Sequence, residues 1–263
     1  MNDRNDLNAR VISFLEYQEE VYGAFRIPEI ENEPELKSAE QTYSVSPENG
    51  IETTEDMPEQ TQTTKGKDIY ERVKACQTLD ELQTICETAD ILQTDLEDTR
   101  LVFGVGNPNA DLMLIGEAPG FHEDKQGEPF VGRAGKLLND ILKAINFKRE
   151  DVYIANILKH RPPNNRDPLV NERKLSLPIL EKQIDLIQPK LILCLGRISA
   201  QTLLETNESM GQLRGEFHPY REKYELMVTY HPAALLRNPQ WKRGTWEDVQ
   251  KLRKRYDELG CKP

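Results

Sequence analysis

Apolar residues recur along the second half of the chain in short runs separated by stretches of helical period. DLMLIG (111–116), DVYIANIL (151–158), KLILCLG (190–196) and YELMVTYH (224–231) are four to eight residues long and bounded by Gly, Asn or Pro, which predicts buried strands. Between them, GRAGKLLNDILKAI (132–145) puts Leu137, Leu138, Ile141 and Leu142 on one side of a helix. LSLPILEKQIDLI (175–187), SAQTLLE (199–205) and the segment 246–259 also read as helices. Strands alternating with helices predict a three-layer α/β/α sandwich around a mostly parallel sheet. In such sheets ligands sit at the carboxyl ends of the strands.

The first hundred residues follow a different pattern. Residues 5–24 read as an amphipathic helix, with Leu7, Val11, Leu15 and Val21 roughly on one face. It is expected to pack as an arm on the main domain or to dock a protein partner. Residues 27–67 are rich in Glu, Pro, Thr, Ser and Gln and are read as an acidic disordered linker, because they offer too little apolar surface to offset ordering entropy. Two short helices are expected near 68–76 and 79–89. The organisation is therefore a helix over 1–26, a linker over 27–67 and one domain over 68–263.

Charge sharpens this division. The chain's net charge is −11, but residues 1–99 carry 8 Lys/Arg against 24 Asp/Glu, and residues 100–263 carry 26 against 21. A nucleic-acid surface is thus possible on the C-terminal part alone. No stretch of about 18 apolar residues suggests a membrane span, and no signal-peptide pattern stands at the N-terminus. Cys76, Cys86, Cys194 and Cys261 lack any short paired spacing and are read as free thiols in a reducing cytoplasm.

Four motifs fall at or near the expected strand ends. Gly116-Glu117-Ala118-Pro119-Gly120, followed by Glu123, forms a rigid turn able to aim backbone N–H groups and a carboxylate into a pocket. Phe130, between Pro129 and Val131-Gly132, is an aromatic in a loop, suited to stacking on a flat base. Asn156 offers both donor and acceptor, matching a pyrimidine's imide edge. The Lys159-His160-Arg161-Pro162-Pro163-Asn164-Asn165-Arg166 loop suits phosphates. His231 ends a strand before Pro232-Ala233-Ala234-Leu235-Leu236-Arg237. Each motif alone is as easily structural as functional.

Taken in order, GEAPG-x-x-ED, PFVGRAG, N-x-x-K-x-RPP-x-NR-x-P and HPA-x-LLR resemble the family 4 uracil-DNA glycosylases, over about residues 96–258. The resemblance implies hydrolysis of the N-glycosidic bond of deoxyuridine in single- or double-stranded DNA, on an extruded nucleotide, by a monomer without lyase activity. It implies Glu117, His231 and Glu123 as catalytic groups, with Glu117 or Glu123 positioning the water. Gly116, Ala118, Phe130 and Asn156 would bind uracil, and Lys159, Arg161, Arg166 and Arg237 would bind DNA. The family's four cluster cysteines fall at Ile91, Thr94, His160 and Ser176, so no iron–sulfur cluster and no metal or other cofactor are expected. A non-catalytic DNA- or partner-binding protein on this fold, or a glycosylase for another deaminated base, remains the alternative.

Overall fold

The computed structural model describes residues 63–262; the expected N-terminal helix and most of the linker lie outside them. Six strands form one sheet, in the order β1-β3-β2-β4-β6-β5. They are β1 (Val105–Gly106), β2 (Leu112–Gly116), β3 (Tyr153–Asn156), β4 (Leu191–Leu195), β5 (Phe217–Tyr220) and β6 (Tyr224–Thr229). The four inner strands β3, β2, β4 and β6 are parallel, and the two edges run antiparallel. Strands β2, β3 and β4 are buried along their whole length, which is why they read as unbroken apolar runs rather than alternating ones.

Helices cover both faces. On one side α5 (Val170–Ile187) and α6 (Arg197–Leu203) bury Leu180, Ile184, Ala200 and Leu203 against Met113, Ile115, Ile192 and Cys194. On the other, α4 (Arg133–Ala144) and α9 (Lys242–Glu258) bury Leu138, Leu142, Val249, Leu252 and Tyr256 against Leu112, Leu114 and Leu193. Helices α1 (Thr63–Ala75) and α2 (Leu79–Glu87) add a smaller core around Leu82 and Cys86 that reaches Ile179 of α5. The expected three-layer α/β/α sandwich is therefore what forms.

Some boundaries differ from the expected ones. Helix α1 begins at Thr63, inside the segment read as linker. Helix α5 begins at Val170 rather than 175, because Glu172 folds back to accept the Leu169 N–H at 2.7 Å and caps the first turn. Pro232–Arg237, directly after β6, is a short helix, α8, with Pro232 in its first turn. Neighbours β3 and β4 flank β2 on opposite sides, so the chain's strand order reverses at β2, the place where such sheets hold ligands.

Candidate active site

A cleft of about 240 Å³ opens over the carboxyl ends of β2, β3 and β6. Its walls include Glu117, Ala118, His122, Glu123, Phe130, Asn156, Arg166, Asp167, His231 and Arg237. Eight of the residues singled out from sequence thus converge on one cavity although they span 120 positions of chain.

The floor is built by close approach. A Cβ on Gly116 would lie 2.3 Å from Asn156 Oδ1 and 2.7 Å from the Phe130 ring, so only glycine lets these two side chains meet over the end of β2. Asn156 is 2% exposed, and its Oδ1 is buried without a hydrogen-bond partner. Buried acceptors are as a rule hydrogen-bonded, and among the residues lining the cleft this one offers a free acceptor at the end of β3.

Phe130 is held against its own preference. Its φ of +54° is unusual for a bulky residue and stores strain. Three contacts impose it. Glu123 Oε1 accepts the N–H groups of Val131 and Gly132 at 3.0 and 3.3 Å. Arg149 donates to the Pro129 carbonyl at 2.5 Å. Gly135 lies so close that a Cβ there would overlap the Phe130 carbonyl. Phe130 is consequently 6% exposed, with its ring 5.4 Å from that of His231 at 31°.

The polar groups divide by role. Glu123 spends its carboxylate on the Phe130 loop, whereas Glu117 keeps its own in the cleft. Burial, reinforced by Asp167, pushes the Glu117 carboxyl up to about 7, against the pull of Arg197, Arg173 and Arg237. Burial, with Arg237 nearby, pushes His231 down to about 4, so its ring is neutral at pH 7. Its Nδ1 accepts the Ala233 N–H at 3.2 Å and caps α8. The ring proton therefore sits on Nε2, leaving a neutral N–H donor for the cleft.

One expected DNA contact needs correction. Lys159 is wholly buried, which rules it out as a phosphate ligand. Its Nζ donates to Gln183 Oε1 at 2.6 Å, to the Asn156 carbonyl at 2.9 Å and to the Phe103 carbonyl at 3.4 Å. Burial lowers its pKa to about 7. Lys159 thus braces the strand end that carries Asn156. Lys159→Ala should lower stability by about 2–5 kcal/mol in urea unfolding, since it opens a cavity and orphans buried acceptors. It should leave the salt dependence of DNA affinity unchanged. Arg161 is half-buried and stands outside the lining of the cleft. Its Nε donates to Asn165 Oδ1 at 2.6 Å and its guanidinium lies 5.1 Å from the Phe121 ring centre, so it positions a wall residue. Arg166 and Arg237 do line it; Arg166 is held by both oxygens of Glu172 at 2.7 and 2.8 Å. His122, Asn165 and Asp167 also line the cleft; they lie within or beside the motifs, but the sequence reading gave none of them a role of its own.

The four positions of the family's cluster do not fit one. Thr94 Oγ1 donates to the Arg161 carbonyl at 2.5 Å, and Thr99 Oγ1 bonds His160 Nδ1 at 3.0 Å. Ile91 packs against the core of α1 and α2, and Ser176 is buried in α5. Thiolates hold such clusters, and none stands here. Cys76 and Cys86 are buried in an apolar cluster, where burial pushes the Cys86 thiol up to about 12. Among the described residues no group of His, Cys, Asp and Glu could hold a metal ion.

Comparison with known proteins agrees with this geometry. The family model described as the Uracil DNA glycosylase superfamily matches residues 103–250. The chain is similar to the type-4 uracil-DNA glycosylase of Archaeoglobus fulgidus, 41% identical over 64% of this chain and 86% of that protein. It is 46% identical to the type-4 enzyme of Sulfurisphaera tokodaii over 59% of this chain and 74% of that one. With that of Thermotoga maritima it shares 37% over 70% and 91%. By these similarities the chain belongs to the type-4 branch of the uracil-DNA glycosylase superfamily.

Proposed function

We propose that the chain hydrolyses the N-glycosidic bond of deoxyuridine in DNA, releasing uracil and leaving an abasic site. The observation that carries this is the buried, unpartnered Asn156 Oδ1 facing the same cleft as Phe130 and His231. A base within a duplex is out of reach, so the substrate is an extruded or single-stranded nucleotide. Uracil stacks on Phe130, gives its N3–H to Asn156 Oδ1 and takes the amide N–H at O4. As the bond to C1′ breaks, negative charge grows on uracil O2, which accepts the His231 Nε2–H. The Glu117 carboxylate favours the cationic sugar and takes a proton from the water that adds to C1′. Glu123 acts by holding Phe130. Among the described residues no lysine lines the cleft, in keeping with hydrolysis rather than a lyase step.

The reaction runs without an iron–sulfur cluster, the hydrogen bonds of Thr94 and Thr99 fastening the loop instead. We place it in the cytoplasm, where the four cysteines stay reduced. The test is to incubate the purified chain with a uracil-containing oligonucleotide and cleave abasic sites with alkali. Cleavage at the uracil position is expected, from a colourless protein free of stoichiometric iron. No cleavage would overturn the activity, and about four irons per chain would overturn the cluster-free reading.

A further inference from the structure

The pocket accounts for the extruded base but leaves unexplained a group of aromatic side chains beside it. Arg214 lies 5.2 Å from the centre of the Tyr230 ring, and Trp241 stacks on Tyr230 at 4.8 Å and 17°. The pile is anchored from below: Arg214 pairs with Asp248 through Nη2 at 2.7 Å and Nε at 3.2 Å, and Asp248 also accepts the Thr229 hydroxyl at 2.7 Å. Its top ends at solvent, with Trp241 37% exposed. Tyr230 immediately precedes His231, and Trp241 follows the cleft residue Arg237 by four positions. The segment 230–246 carries Arg237, Lys242 and Arg243 and no Asp or Glu, in a chain whose net charge is −11.

A large indole held flat by a rigid stack, 37% exposed, beside Arg237, Lys242 and an Arg243 whose pair with Glu247 at 3.2 Å is open to solvent, matches an unpaired nucleobase and its phosphates. We propose that Trp241 is a stacking platform for a base of single-stranded DNA next to the extruded nucleotide, with Lys242 and Arg243 along the backbone. This rests on the reading of the cleft as a site for DNA. A paired base offers no free face, so the platform favours single strands over duplex.

The test uses full-length protein and uracil-free oligonucleotides, single-stranded oligo(dT) and a duplex of mixed sequence. Trp241→Ala should weaken binding of the single strand by roughly five- to a hundred-fold and that of the duplex by less than about twofold, while Trp241→Phe keeps most of the affinity. The chain has two tryptophans, so a Trp246→Phe variant isolates the emission of Trp241, which should fall on titration with oligo(dT). Unquenched emission, or equal losses on single strand and duplex, would overturn the platform. Because the probes hold no uracil, these outcomes are separate from base excision: a wild-type protein that releases no uracil overturns the activity, not the binding result.

Discussion

Asn156→Asp should lose about 10³- to 10⁵-fold in kcat/KM on uracil and acquire weak release of cytosine. The argument is one of donors and acceptors. Uracil presents N3–H and the acceptor O4, and an amide answers both with Oδ1 and Nδ2. A carboxylate is acceptor-only: it opposes O4 and adds negative charge beside a leaving group that is becoming an anion. Cytosine presents an amino donor where uracil has O4, so a carboxylate suits it better than the amide does. Because Asn156 is 2% exposed, water cannot repair a mismatch there. Steady-state rates on matched oligonucleotides with one uracil or one cytosine, read after alkali cleavage, check this. Activity on uracil within tenfold of wild type would show that Asn156 does not read the base.

Glu117→Gln should abolish uracil release and yet stabilise the fold. In the proposed reaction the carboxylate is the working form, and burial raises its pKa to about 7. kcat/KM of the wild type should therefore rise with pH through a limb centred near 7, with no separate limb from His231, which is neutral down to about 4. For stability the sign follows from proton uptake. The folded state holds the Glu117 proton up to about pH 7, whereas the unfolded chain releases it near 4.5. The folded state binds more protons in that window, so stability falls as pH rises across it, and the full cost is present above pH 7. Glutamine removes that cost. The variant should gain about 1–3 kcal/mol at pH 8 and nothing at pH 4, measured by urea unfolding. A variant with wild-type pH dependence of stability would place the titration elsewhere.

Much of this was legible in the sequence, for physical reasons that differ by residue. The inner strands announce themselves because burial on both faces forces unbroken apolar runs such as LMLIG and LILCL. The edge strands do not: β1 has two residues, and β5 contains Pro219 in a half-exposed FHPY. Phe130 was readable as an aromatic out of place, but its positive φ comes from Glu123, Arg149 and Gly135, contacts that no local pattern carries. The proposal of Glu117 over Glu123 rests on which one binds backbone N–H groups, a contact that no sequence pattern carries. Lys159 misled because a lysine beside His160 and Arg161 looks solvated, while the chain leaving β3 turns it inward onto three oxygens.

The crystal structure of this protein soaked with uracil tests the central claim most directly. Uracil should lie flat on Phe130, with N3 in hydrogen-bond reach of Asn156 Oδ1 and O2 in reach of His231 Nε2. Saturating uracil found outside the cleft, or inside it with its imide edge turned away from Asn156, would contradict the account.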